Sequence, residues 1–217
     1  CKCDRVHCKR IMTLLGLDFD NTLVHYDELF HQLAVERKLI KDDFEVDKKA
    51  IREFLKKNGL EEEFTLMQGE VYGSRITEAI PTNGLLETLR EINNMGISMV
   101  IVSHKTKNPY KGPPYDLHKA AWKWLEKNEL TSKNRNIFTE ENIFFETTKE
   151  LKLKRITDLR CTHYVDDLKD IVENIPTYID RILYDPKNTQ KPKKGIKKIR
   201  EWKEVIEIIS KSRKNEQ

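Results

Sequence analysis

The stretch Ile11–Val24, IMTLLGLDFDNTLV, limits what this chain can fold into more than any other. An apolar run of strand length stops abruptly at Asp18-Phe19-Asp20-Asn21-Thr22. A near-continuous apolar run reads as a strand buried on both faces of a parallel sheet, and open α/β sheets place ligands beyond the carboxyl ends of such strands. Strand alternation points Asp18 and Asp20 to the same side. Like charges held that close repel unless a cation or a shared proton lies between them. A solvated turn is the plainer alternative, since Asp and Asn favour turns. The rest of the chain has to decide.

After Thr22 the apolar period becomes helical. Residues 27–40, 47–58 and, at looser spacing, 60–80 are helix candidates, and none reads as a strand of a parallel sheet. A small helical insertion is therefore expected, with 1–22 and 81–217 as a core domain and 23–80 as a cap. From Pro81 the pattern alternates. A helix through Leu86, Leu89 and Ile92 precedes a strand at 97–102, and a helix at 116–128 precedes a short strand at 143–145. A helix at 149–160, a strand at 162–165, a helix near 168–174 and a strand at 178–184 follow. The tail 191–212 carries Ile196, Ile199, Trp202, Val205 and Ile209 on one side, which predicts a single lysine-rich amphipathic helix. This order implies an α/β fold, a doubly wound, mostly parallel sheet with helices on both faces.

Composition excludes more than it assigns. The 217 residues suit one sizeable domain, or a core carrying an insertion. With 40 basic and 36 acidic residues, the net charge of +4 gives no reason to expect a nucleic-acid or membrane partner. The basic stretch Lys187–Arg200 reads as the solvated face of a packing helix. Apolar runs are strand-sized, far short of a membrane span. Cys1, Cys3 and Cys8 crowd around His7, but their spacing matches no common zinc pattern, and Cys161 falls in a predicted strand. Reduced cysteines in a cytoplasmic setting are the default expectation. Met12 is a candidate natural start, which would make 1–11 an extension.

Polar groups end three of the predicted strands: Asp18/Asp20, Ser103 and Asp166/Asp167. Parallel strands bring all three to one edge of the sheet. The pattern resembles the haloacid dehalogenase (HAD) superfamily. Its first motif, Asp-x-Asp-x-Thr/Val after an apolar strand, matches Asp18-Phe19-Asp20-Asn21-Thr22 at every specified position. Its Ser/Thr motif matches Ser103 in MVIVSHK, and its acidic pair matches Asp166-Asp167 in HYVDD. The resemblance runs from about Ile11 to Ile209 and is nearest to bacterial HAD-like hydrolases.

The resemblance implies a phosphatase. Asp18 would attack phosphorus to form an aspartyl-phosphate, and Asp20 would protonate the leaving oxygen and then activate water. Mg²⁺ would be held by Asp18, the Asp20 main-chain carbonyl and Asp167, with Asp166 and Thr22 in support. Ser103 would hydrogen-bond the phosphate. His104 is counted with the phosphate-binding residues, and His104, Lys105 and the loop Asn108–Tyr115 are candidates to contact the leaving group, although the prolines there give a purely structural role for this loop equal weight. His25, Tyr26 and Asp27 are candidates for the site entrance or for a cap hinge. A phosphate-binding lysine is also required. Lys149, Lys152 and Lys154 compete; Lys152 is preferred because Ile156 and Leu159 share its helical face at i+4 and i+7.

An acid two residues after the nucleophile separates phosphatases of the superfamily from its dehalogenases, whose halide leaves without a proton. Asp20 therefore favours a phosphomonoesterase over a phosphomutase, the other reaction it allows, with a small phosphorylated metabolite as the expected substrate under a cap. Protein phosphotyrosine and nucleic-acid 3′-phosphate ends are the alternatives for an open cap. A catalytically silent binding module would have no need of both aspartates.

Overall fold

A computed structural model describes residues 12–131 and 137–215. The amino-terminal cysteines and His7, weighed above for zinc, lie outside the described residues. Leu14–Leu17 forms β1. The short strands β2 (Val24–His25) and β3 (Ile80–Pro81) pair antiparallel. Between them run α1 (Asp27–Glu36), α2 (Lys48–Lys57), α3 (Glu61–Tyr72) and a 3₁₀ turn at Ile76–Glu78. The chain then forms α4 (Leu85–Asn94), β4 (Ser98–His104), α5 (Leu117–Lys127) and β5 (Ile143–Glu146). It continues through α6 (Lys149–Asp158), β6 (His163–Asp166), α7 (Lys169–Asn174) and β7 (Asp180–Tyr184). It closes with β8 (Lys197–Ile199) and α8 (Lys203–Asn215).

Six strands make one sheet in the order β5-β4-β1-β6-β7-β8, and every pairing in it is parallel. The winding runs outward from β1 through β4 to β5, then restarts on the other side of β1 with β6. That reversal lies beside β1, the topological switch point where open α/β sheets bind ligands. The expected α/β class and doubly wound topology are thus observed.

Alternation along β4 explains the layers. Met99 and Ile101 join the core beneath α4, α5 and α8, whereas Val100 and Val102 pack on the opposite face with Ile156 of α6 and Ile171 of α7. Fully burying a side chain such as Leu15 or Leu17 contributes roughly 1.5–3 kcal/mol. Side-chain caps set several helix starts: Asp47 accepts from Ala50 N at 2.8 Å, Asp116 from Lys119 N at 3.0 Å and Thr148 from Leu151 N at 3.2 Å. Gly16 has a specific reason. A Cβ there would lie 2.5 Å from the Tyr164 ring, so only glycine lets Tyr164 pack across β1.

The tail corrects an expectation. Residues 191–212 are not one helix: Gly195 adopts a left-handed φ of +87°, and Lys197–Ile199 extends as β8 along β7. The apolar spacing fits a helix, but the open edge of β7 offers Ile199 a ladder and a buried position. Cys161 likewise falls just before β6 rather than inside it, buried with its thiol pushed up to about 12 by burial.

Candidate active site

The carboxyl ends of β1, β4 and β6 converge as parallel pairing requires. Asp18 follows β1 directly and is anchored by its main chain, with Asp18 N donating to Val165 O of β6 at 2.9 Å. Asp166 ends β6 and Asp167 follows it. Oxygens of Asp18, Asp166 and Asp167 all lie within 4.8 Å of one another.

One cation holds two of these acids. Lys152 of α6 reaches across the sheet end and donates to Asp18 Oδ1 at 2.5 Å and to Asp166 Oδ2 at 2.6 Å. It is 1% exposed, and its ammonium lies 5.8 Å from the Tyr164 ring centroid, on the aromatic that Gly16 admits. Burial works against its charge, but Asp18 and Asp166 overcome that and hold it protonated above its usual value. Lys149 instead pairs with Asp170 and Lys154 with Asp158, both at the surface. Of the three competing lysines, Lys152 is the one brought to the acids.

The three carboxylates remain short of positive charge. Burial, then the charge of Asp18, pushes the Asp166 carboxyl up to about 7. Burial, Asp166 and Asp18 hold Asp167 well above the usual carboxylate range. Hard oxygen donors this close, sharing one ammonium, fit a divalent cation such as Mg²⁺. Asp166 is the least free of them: Lys152 occupies one oxygen, and Leu168 N donates to the other at 2.8 Å. Thr22 ties the cluster together. Its Oγ1 lies 3.4 Å from both Asp18 Oδ2 and Asp167 Oδ1, and it accepts from Asp167 N at 3.1 Å. Thr22 O in turn accepts from Thr82 Oγ1 at 2.8 Å, and Thr82 accepts from Trp202 Nε1 at 2.7 Å.

Asp20 is not in this cluster, contrary to simple alternation. β1 ends at Leu17 and Asn21 turns with a left-handed φ of 57°, so strand parity no longer governs Asp20. Tyr26 Oη donates to Asp20 Oδ1 at 2.5 Å, and Lys105 Nζ donates to both its oxygens at 2.9 Å. Burial would raise the Asp20 pKa, but Lys105 and then Tyr26 bring it below its ordinary value. Sequence reasoning named Lys105 beside His104 as a candidate contact to the leaving group but missed its pairing with Asp20, although it stands two residues after Ser103 at the same strand end. The same parity that places Ser103 there was the available signal.

Ser103 is buried, and its Oγ has no hydrogen-bond partner among the described residues. An orphaned buried hydroxyl at the strand end is what a contact to an anionic ligand would satisfy. His104 is exposed, with Nε2 3.1 Å from Thr147 O. It lines a cavity of about 460 Å³ together with Asp20 and Lys105 on the sheet side and Arg52, Gln68 and Tyr72 from the helical insertion. Of the entrance candidates, Tyr26 reaches Asp20, whereas His25 pairs with Glu28 at 3.1 Å. Trp124 is buried and donates to Ala79 O at 2.8 Å.

No family model and no curated protein matches the chain. Solved structures do. The HAD-hydrolase YfnB from Bacillus subtilis bound to magnesium aligns over 92% of this chain and 99% of its own, with TM-score 0.57 and 14% identity. A HAD family hydrolase from Deinococcus radiodurans with bound phosphate and sodium covers 94% and 97%, with TM-score 0.54 and 11% identity. L-2-haloacid dehalogenase from Xanthobacter autotrophicus, with chloropropionic acid covalently bound, covers 92% and 99%, with TM-score 0.51 and 12% identity. The chain therefore has the fold of HAD-superfamily hydrolases. At such identity the likeness speaks for the fold, and the reaction has to be argued from the side chains.

Proposed function

We propose that this protein is a Mg²⁺-dependent phosphomonoesterase working through an aspartyl-phosphate on Asp18. The observation that carries the reading is the division of labour between two aspartates. Asp18 sits against Lys152 in the acidic cluster, while Asp20 is held apart by Tyr26 and Lys105 at the edge of the cavity. A dehalogenase needs only the first, because halide leaves without a proton.

Asp18 attacks phosphorus while Lys152 steadies the carboxylate and the incoming phosphate charge, and Ser103 donates its unpartnered hydroxyl. Mg²⁺, held by Asp18, the Asp20 carbonyl and Asp167, would supply charge neutralisation for the phosphoryl oxygens. Asp166 stays occupied by Lys152 and Leu168 N and fixes the lysine rather than the substrate. Asp20 hands a proton to the leaving oxygen, then takes one from water as the acyl phosphate is hydrolysed. Its ionised form, favoured by Lys105, is ready for the second step. An anion entering the cavity competes for Lys105 and lets Asp20 take up the proton needed for the first.

The helices α1–α3 serve as a cap, hinged at the β2–β3 ribbon. A cavity of about 460 Å³ between cap and sheet end suits a small phosphorylated metabolite and leaves little room for a protein or nucleic-acid end. The magnesium and phosphate in the Bacillus and Deinococcus structures support the same chemistry. The test is hydrolysis of an aryl phosphate with and without Mg²⁺. Activity should require the cation, vanish in Asp18→Asn and fall about 10²–10⁴-fold in Asp20→Asn. Undiminished turnover in Asp18→Asn defeats the mechanism. Release of halide from a 2-haloacid, without phosphatase activity, defeats the reaction class.

A further inference from the structure

Two cations on the cap lack carboxylate partners among the described residues. Lys48 and Arg52 stand one helical turn apart on α2, so they present to the same side. The Lys48 ammonium lies 5.3 Å from the Tyr72 ring, 5.4 Å from Phe30 and 6.0 Å from Tyr26. These rings orient the charge without neutralising it. Lys48 lines a cavity together with Asp167, and although burial opposes its charge, Tyr72, Asp20 and Asp167 hold the ammonium above its usual value. Arg52 rests its guanidinium 5.8 Å from the Phe64 ring, and no carboxylate pairs with it among the described residues. It lines the cavity that holds Asp20 and also a second one, of about 390 Å³, that holds Lys48 and Asp167.

Helix stability gives no reason for a cation at this place. Lys48 is the first residue of α2, where the helix dipole disfavours positive charge, and the first turn contains no acid. The neighbouring surface pairs are already satisfied elsewhere: Asp27 and Asp47 both bind Lys187. Lys48 and Arg52 are thus left facing the cavities.

Phosphoryl transfer sets what they meet. Attacking and leaving oxygens lie roughly in line across phosphorus. With Asp18 on the sheet end, the leaving group points away from it, toward the cap. We propose that Lys48 and Arg52 form a second anion subsite, so that the substrate is a phosphate monoester whose leaving group carries its own negative charge, a carboxylate or a further phosphate. This rests on the phosphomonoesterase reading above. Arg52 suits the planar, bidentate pairing that either anion offers.

The test compares three small esters: ethyl phosphate with a neutral tail, 2-phosphoglycolate with a carboxylate, and ethylene glycol bisphosphate with a second phosphate. Calorimetric affinities are measured without Mg²⁺, on wild type, Lys48→Met and Arg52→Gln. Lys48→Met keeps the bulk between the rings, and Arg52→Gln alters an exposed side chain, so folding, checked by circular dichroism, should survive in at least one. At least one doubly anionic ester should bind wild type about tenfold or more tightly than ethyl phosphate, with the preference lost in both variants. Which of the two binds better identifies the second anion. Equal affinities for all three esters, or a preference that survives both substitutions, overturns the subsite. Failure of the phosphatase reading is separate: it shows as no hydrolysis of any ester once Mg²⁺ is added, whatever the affinities.

Discussion

Lys105 donates to both carboxylate oxygens of Asp20, each at 2.9 Å, across 85 residues of sequence. With Tyr26 on the same carboxylate, this pair holds the proposed proton carrier below its ordinary pKa despite burial. Neither partner belongs to the motif that marks Asp20, so the protonation state of the motif is set from outside it.

Removing that partner has a definite sign. In Lys105→Met, burial acts on Asp20 unopposed by the nearby ammonium, so its pKa rises. The acid limb of dephosphorylation, which needs ionised Asp20, should move to higher pH in single-turnover measurements. Tyr26→Phe should move it the same way. An unshifted limb in both variants would mean that Asp20 is not the base.

Lys152 is the counter-charge of two buried acids, and its loss is costly. Lys152→Met leaves Asp18 and Asp166 without their ammonium, which should lower stability by roughly 3–5 kcal/mol in urea unfolding of the metal-free protein. Aryl phosphatase activity should be lost. Lys149→Ala, which breaks an exposed pair with Asp170, should cost less than about 1 kcal/mol and spare activity. The reverse ranking of the two lysines would sink the assignment.

Cation binding should depend on pH through the acidic cluster. Burial and Asp18 hold Asp166 near 7, and Asp167 is also held above the usual range, so the cluster retains a proton below neutrality. A divalent cation must displace that proton at low pH but not at high pH. The rise in melting temperature on adding Mg²⁺ should therefore be larger at about pH 7.5 than at about pH 5.5, and should be much reduced in Asp167→Asn. A rise independent of pH would place the cation elsewhere.

Lys187, in the loop after β7, reaches Asp27 and Asp47 on the helical insertion. Half-exposed pairs of this kind contribute about 0.2–1 kcal/mol, so Lys187→Met should barely change global stability. It should, however, release the amino end of α2 from the core. Faster amide hydrogen exchange in α2, with the sheet unchanged, is the expected readout; no change there would mean that other contacts hold the insertion down.

What sequence alone determined was the edge of the sheet. Apolar runs ending at Asp18, Ser103 and Asp166 specify parallel strands and bring those residues together, because pairing direction leaves no other arrangement. The helical period through Ile156 and Leu159 aimed Lys152 at that edge for the same local reason. Tertiary structure decided the rest. Asp20 lies beyond the end of β1 at Leu17, outside the reach of strand parity, and its partners come from the residue just after β4 and from the start of the insertion. Lys48 acquired its aromatic surround only where α1, α2 and α3 meet. Ile199 became a strand because β7 had an open edge to pair with, a ladder that no helical period can reveal. Periodicity reports which face of one element is buried; which charges meet across two elements depends on how those elements are docked.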